Sequence, residues 1–170
     1  MSDQIINRVT NSSIISLDLE TFYPKGERVV FDIKNNLYEE TILREKEFRL
    51  FIKEHDWSLY QNKNVAITCS VDAIVPTWAY MLIASKLTPV ANYLVFGNLN
   101  ELEKDLFDIA LSKINVQDYQ NAKVVIKGCS GNAIPTASYV EIVRILQPVV
   151  ASLMFGEPCS TVPVYKRLKA

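Results

Sequence analysis

The chain contains Cys69-Ser70-Val71-Asp72-Ala73-Ile74-Val75-Pro76, and a related stretch follows as Cys129-Ser130-Gly131-Asn132-Ala133-Ile134-Pro135. The second copy has one residue fewer before its proline. An apolar run precedes each copy, and a helix-like stretch follows each proline. Proline suits the first turn of a helix, because its missing amide hydrogen has no intrahelical partner to lose there. The sequence therefore predicts two related strand-loop-helix units.

Strand and helix patterns alternate through the chain. The predicted strands are 15–20, 28–33, 64–68, 92–96 and 123–127, and the predicted helices are 37–55, 76–87, 99–114 and 135–155. Such alternation favours parallel strands joined by crossover helices, and the apolar strands indicate helices on both faces. A turn signal at Pro24-Lys25-Gly26 predicts a hairpin between the first two strands. We expect a single three-layer α/β domain over residues 1–170, with a mainly parallel sheet and an N-terminal hairpin.

Two helix boundaries are marked in the sequence. Asn98 precedes the helix that begins at Leu99, and Glu101 follows at the capping-box position. Pro148 interrupts the last helical stretch and is expected to kink or split it, because proline lacks the amide donor.

Composition limits the classes of partner and location. The chain has 170 residues, of which 18 are Lys or Arg and 19 are Asp or Glu, so no basic surface for nucleic acid or anionic membrane is expected. No apolar stretch is long enough for a transmembrane helix, and the N-terminus lacks a secretory pattern. Three cysteines in a chain of this size favour a reducing compartment, so we expect a cytoplasmic protein. A homodimer is the default oligomer.

The candidate site residues are the three cysteines, Cys69, Cys129 and Cys159, together with the single histidine, His55. Loops that leave the carboxyl ends of parallel strands gather at one edge of a sheet, where such folds bind ligands. Thiolates and imidazole bind zinc or iron-sulfur clusters, although no Cys-x-x-Cys pair occurs here. The alternative is that each cysteine is a small buried apolar residue and that His55 caps a helix end.

A nucleophilic thiol is a second hypothesis, because a helix N-terminus stabilises a nearby thiolate. Two nearly equal sites 60 positions apart argue against an attacking and a resolving cysteine. The sequence contains no Gly-x-Gly-x-x-Gly and no Walker motif, which disfavours nucleotide binding. Ser70 and Ser130 are predicted to cap the loops, and Tyr80 and Tyr139 are predicted core residues.

Six motifs extend along the whole chain: Asp18-Leu19-Glu20-Thr21-Phe22-Tyr23-Pro24, His55-Asp56-Trp57, the stretch from Cys69 to Tyr80, Val95-Phe96-Gly97-Asn98-Leu99, Val125-Ile126-Lys127-Gly128-Cys129-Ser130, and Gly156-Glu157-Pro158-Cys159-Ser160-Thr161-Val162-Pro163-Val164-Tyr165. With these motifs the chain resembles the bacterial domain-of-unknown-function family numbered 2480. The resemblance implies no activity. It does imply a genomic setting near iron-sulfur assembly components of the sulfur-mobilisation type, and hence iron-sulfur assembly proteins as partners.

The leading prediction is a cytoplasmic α/β protein that binds zinc or an iron-sulfur cluster through Cys69, Cys129 and Cys159, with His55 as the fourth ligand. Cluster assembly or trafficking is its expected setting. The alternative is a sulfur-transfer or thiol redox enzyme in which Cys69 or Cys129 attacks and a second cysteine resolves. A metal-free binding scaffold is the third hypothesis.

Overall fold

The structure of the protein, a computed structural model, describes residues 14–128, 134–157 and 159–168. Within these ranges the strands are β1 (Ile14–Asp18), β2 (Arg28–Asp32), β3 (Asn64–Thr68), β4 (Tyr93–Phe96), β5 (Lys123–Lys127), β6 (Ser152–Glu157) and β7 (Ser160–Lys166). The helices in the same ranges are α1 (Glu45–Glu54), α2 (Thr77–Leu87), α3 (Leu99–Leu111) and α4 (Thr136–Leu146). The chain divides into unit 1, Met1–Pro24 with Phe107–Ala170, and unit 2, Lys25–Leu106.

Unit 2 is built on a parallel sheet with the strand order β2-β3-β4. All residues of its central strand β3 except the last are buried. Because successive side chains of a strand point to opposite sides of the sheet, both faces of β3 are covered. Val65 and Ile67 share a core with residues of α1 and α2. Ala66 instead packs with Leu102 and Leu106 of α3. Helices therefore cover both faces of this sheet, which confirms the three-layer prediction for unit 2.

Unit 1 is built on a sheet with the strand order β1-β5-β6-β7. The strands β1, β5 and β6 are parallel, whereas β7 runs antiparallel to β6. Val124 and Ile126 of β5 share a core with Ile142 and Leu146 of α4 and with Leu111 of α3. The mainly parallel α/β architecture predicted from the sequence is thus confirmed, although the described strands form two sheets.

The two units repeat one order of elements. In each unit the first strand ends at an aspartate, Asp18 or Asp32, whose side chain caps a single 3-10 turn. In unit 2, α1, a second 3-10 turn, β3, α2 and β4 then follow. In unit 1, after the segment that forms unit 2, the end of α3, a second 3-10 turn, β5, α4 and β6 follow in the same order. The two related strand-loop-helix units are therefore confirmed, and the duplication extends over nearly the whole of each unit.

A constant spacing relates the two copies. Asn64 and Lys123, the first residues of β3 and β5, are 59 positions apart, and so are Thr77 and Thr136, which begin α2 and α4. No deletion is needed between them, so the alignment of Cys69 with Cys129 was wrong by one position. The counterpart of Cys69 in the chain is Gly128.

The N-terminal hairpin is a wrong prediction. Strand β1 pairs with β5 and strand β2 pairs with β3, both in parallel register. The turn signal at Pro24-Lys25-Gly26 showed correctly that the chain turns, but such a signal does not determine which strands pair. Each of the two strands instead opens its own unit.

The C-terminal helix is wrong beyond residue 146. Helix α4 ends at Leu146, and the apolar run after Pro148 forms strand β6 beside β5. Pro148 cannot continue a helix, and a short apolar run alone does not distinguish a buried strand from a helix. The first helix also begins later than predicted, at Glu45, because a 3-10 turn (Ile33–Asn36) and a bridge between Tyr38 and Ile42 precede it.

None of the helices in the described ranges is long and apolar enough to cross a bilayer. A single domain over residues 1–170 stays a prediction.

Candidate functional site

The carboxyl ends of the parallel strands in unit 2 carry several polar groups. Asp32 ends β2, and its Oδ1 accepts hydrogen bonds from the backbone amides of Lys34 and Ser70, each at 3.1 Å. Burial raises the pKa of Asp32, but hydrogen bonds from Ser70 and Lys34 outweigh burial, so the pKa falls below its ordinary value of 3.8. The ionised carboxylate thus ties the loop after β3 to the end of β2.

Cys69 begins that loop and is half-buried against the core of unit 2. Its Sγ donates to the carbonyl oxygen of Val71 at 3.4 Å, so the thiol helps to close the loop. Burial raises the pKa of the neighbouring Tyr80, and negative charge on Cys69 and Asp32 raises it further. These contacts favour a structural thiol at Cys69.

His55 is the C-cap residue of α1, and its backbone amide donates to the carbonyl oxygen of Phe51. Its ring lies 4.8 Å from the ring centroids of both Phe51 and Trp57, and the rings of Phe31 and Tyr60 lie within 6.2 Å. The His55 Nε2 atom is buried and has no hydrogen-bond partner among the described residues. The imidazole is therefore held mainly by aromatic packing.

Cys159 lies in unit 1, in the turn between β6 and β7, and it is exposed. Lys127 at the end of β5 forms an ion pair with Glu157, with 2.6 Å between Nζ and Oε2. The hydrogen bond that Lys127 donates to Glu157 raises the pKa of Lys127, and negative charge on Glu157, Asp18 and Cys159 raises it further. An ammonium group therefore lies within electrostatic reach of an exposed thiol.

Sequence reasoning missed Lys127. The sheet register places it opposite Asp18, and the hairpin that follows β6 brings Glu157 and Cys159 to the same edge. A lysine at the end of an apolar strand carries no signal of its own in the sequence. Only the pairing of β5 with β1 and with β6 shows which charged residues lie near Lys127.

Gly128 follows Lys127 and is constrained by the first turn of α4. The Tyr139 hydroxyl donates to the Gly128 carbonyl oxygen at 2.5 Å. A Cβ atom at position 128 would collide with that hydroxyl oxygen, so any larger residue there would displace the tyrosine side chain. Cys129, the next residue, falls outside the described part of the chain.

The predicted metal ligands are divided between the units. His55 and Cys69 belong to unit 2, and Cys159 belongs to unit 1. Within residues 14–128, 134–157 and 159–168, no three His, Cys, Asp or Glu side chains are arranged to hold a metal ion. A site that combines these residues with Cys129 stays a prediction.

Each unit also has an apolar groove beside a helix and the strand that follows that helix. These elements are α4 and β6 in unit 1, and α2 and β4 in unit 2. The groove of unit 1 has a volume of about 460 Å³, and its lining includes Tyr139 and Phe155. The groove of unit 2 has a volume of about 310 Å³, and its lining includes Tyr80 and Phe96. In both grooves the tyrosine and phenylalanine rings meet edge to face, at 5.6 and 5.2 Å. The two tyrosines, predicted as core residues, thus line half-open surfaces.

The comparison with protein families agrees with the resemblance that the sequence motifs showed. A family model described as "Protein of unknown function (DUF2480)" matches residues 3–167, and the chain belongs to this family. Neither a curated protein nor a solved structure matches the chain.

Proposed function

We propose that the protein is a sulfur carrier whose working group is the Cys159 thiol, and that it acts with iron-sulfur assembly proteins in the cytoplasm. The observation that supports this proposal is the position of the exposed Cys159 within electrostatic reach of the charged Lys127. The thiolate is the nucleophilic form of cysteine. Exposure allows a donor protein to reach the sulfur.

The proposed reaction transfers one sulfur atom. The Cys159 thiolate attacks the terminal sulfur of a persulfide on a donor protein, and a new sulfur-sulfur bond forms. The sulfur-sulfur bond of the donor breaks, and the donor leaves as a thiolate. Cys159 then carries the persulfide, so no external oxidant or reductant is required.

The difference between the cysteines supports a thiol mechanism more strongly than the sequence did. The described structure gives Cys69 a hydrogen bond to Val71 and a carboxylate neighbour, whereas Cys159 is exposed and near a cation. The corrected spacing also pairs Cys69 with Gly128, so the objection that two equal sites are unsuited to asymmetric chemistry no longer holds. One cysteine can then attack while another has a separate role.

Persulfide transfer is tested with glutathione persulfide as the donor and mass spectrometry of the intact chain and its peptides. We expect the peptide that contains Cys159 to gain one sulfur atom. Cys159→Ser abolishes that gain, and Lys127→Gln slows it by about tenfold, because the stabilising charge is lost. Cys69→Ser is the matched control and leaves the transfer to Cys159 unchanged. Transfer that persists at another cysteine in Cys159→Ser, or a transfer rate that Lys127→Gln leaves unchanged, contradicts the proposal.

Zinc or iron-sulfur cluster binding through Cys69, Cys129, Cys159 and His55 is the second candidate. The buried Nε2 of His55 favours it, because a buried nitrogen without a hydrogen-bond partner is costly unless another group satisfies it. Thiolates and an imidazole are suitable donors for either cofactor. The Lys127 ammonium, in contrast, opposes a cation next to Cys159. When bound, such a group would supply a structural centre or a cluster for transfer.

Purification without oxygen distinguishes the two candidates. Stoichiometric iron or zinc by elemental analysis, lost in both His55→Ala and Cys159→Ser, supports the metal site. A metal-free protein that accepts persulfide supports the sulfur carrier. A metal-free protein without persulfide transfer leaves the binding scaffold as the remaining function.

A further inference from the structure

The two units differ at one edge of their sheets. In unit 1 the last parallel strand, β6, pairs with the antiparallel strand β7. In unit 2 the equivalent strand, β4, is the last strand of its sheet in the described part of the chain. A glycine with positive φ directly follows β4 as Gly97 and lies near the end of β6 as Gly156, but the chain then enters α3 after β4 and β7 after β6. Among the residues that the structure describes, no strand therefore takes in unit 2 the position that β7 occupies in unit 1.

Exposure of the apolar residues shows the effect of that difference. Phe155 lies opposite Val162 of β7 and is only half exposed, whereas its counterpart Phe96 is 70% exposed. Leu153 lies opposite Tyr165 of β7 and is fully buried, whereas its counterpart Leu94 is not. In unit 1, therefore, the antiparallel strand β7 covers apolar residues at this edge of the sheet.

The sequence of β4 also lacks the features that keep an edge strand single. Tyr93, Leu94, Val95 and Phe96 include no charged residue and no proline. The groove beside the strand adds Met81, which is 66% exposed. An uncharged apolar edge next to an apolar groove is a surface on which another strand is stabilised.

We propose that β4 pairs with β4 of a second copy of this chain, in antiparallel register about a two-fold axis at Val95. When a strand pairs in antiparallel register with the same strand of a second copy, the two copies form a closed symmetric dimer. No edge of β4 then remains open for a third copy. This register places Leu94 of one copy opposite Phe96 of the other on the groove side, and the two grooves become continuous. The proposal is independent of the function of Cys159, which lies in unit 1.

The hydrogen-bond pattern fits this register. The Gly97 amide donates to the carbonyl oxygen of Ile67 in β3, so the Val95 amide, two residues earlier, points the same way. The amides of Leu94 and Phe96 then point outward, toward the second copy. Val95 becomes a non-hydrogen-bonded pair across the axis, in which the Cα atoms lie about 4.5 Å apart.

Sedimentation equilibrium of the full chain tests the dimer. We expect a dimer for the wild type and a dissociation constant raised by at least about tenfold in Phe96→Lys, which places a charge in the interface. Val140→Lys is the matched control, because Val140 is the counterpart of Met81 in unit 1 and is 69% exposed. This control should dimerise like the wild type. A monomeric wild type, or a dimer that Val140→Lys disrupts and Phe96→Lys does not, overturns the proposal.

A cross-link tests the register without relying on a charged variant. Val95→Cys is expected to form a disulfide between the two copies on mild oxidation, because a non-hydrogen-bonded pair has suitable geometry. Peptide mapping then finds position 95 joined to position 95. A cross-link that joins position 95 only to the native cysteines contradicts the β4 pairing.

Discussion

At the residue scale, Gly128 and Cys69 occupy equivalent positions but make different contacts. Gly128 lets the Tyr139 hydroxyl reach its carbonyl oxygen, whereas Cys69 uses its own side chain to bond Val71. The sequence pattern showed the two loops, but the shared Cys-Ser letters shifted the alignment by one residue. Only the strand register revealed the true counterparts.

Gly128→Ala is expected to lower the free energy of unfolding by about 1–3 kcal/mol, because the added methyl group displaces the Tyr139 ring. Tyr139→Phe alone should cost about 1 kcal/mol through the lost hydrogen bond. In the Tyr139→Phe background, which lacks the clashing oxygen, Gly128→Ala should cost less than it does alone. Urea unfolding of the four proteins measures the coupling, and strictly additive effects would show that the two residues do not interact.

Asp32 predicts a pH dependence of stability. Because its pKa is lower in the folded protein than its ordinary value of 3.8, ionised Asp32 stabilises the fold at pH values above about 5. This contribution is lost as the pH falls through the folded-state pKa. Asp32→Asn keeps an acceptor oxygen but cannot ionise, so the stability advantage of the wild type over this variant should shrink between about pH 5 and pH 3. Denaturant unfolding at several pH values checks this, and an advantage that grows on acidification contradicts it.

At the element scale, the start of α3 is the boundary that the sequence predicted best. Asn98 Oδ1 accepts from the Asn100 amide at 2.7 Å, and Glu101 Oε2 accepts from the Asn98 amide at 2.8 Å. This is the predicted capping box, which sequence can reveal because all its contacts are local.

Asn98→Ala is therefore expected to lower the free energy of unfolding by about 1 kcal/mol. Asn100→Ala is the matched control, since its contribution to the cap is a backbone amide that the substitution retains. Thermal and urea unfolding should separate the two variants. Equal stability of both variants would mean that the cap contributes little to the fold.

Other elements show which structural features local sequence patterns do and do not determine. The bounds of β3 and β5 agree with the prediction, because apolar runs bounded by polar residues are a local signal. Strand β6 was predicted as helix, because its apolar run is equally compatible with both structures until its pairing with β5 is known. The expected hairpin failed for the same reason, since strand pairing is a long-range property.

At the scale of the whole molecule, the chain contains two similar units that differ at the carboxyl edges of their sheets. The edge of unit 2 has the carboxylate of Asp32 and the half-buried Cys69, and the edge of unit 1 has the Lys127–Glu157 ion pair and the exposed Cys159. The sequence predicted that cysteines would lie at such edges. It did not predict the charge beside each one, because that charge comes from a neighbouring strand.

The most direct test of this divergence is the alkylation rate of each cysteine, measured with limiting iodoacetamide and peptide mass spectrometry across a range of pH. We predict that Cys159 reacts at least about tenfold faster than Cys69 at neutral pH, and that Lys127→Gln lowers the Cys159 rate. Faster reaction at Cys69, or a Cys159 rate that Lys127→Gln leaves unchanged, would contradict the assignment of Cys159 as the working thiol.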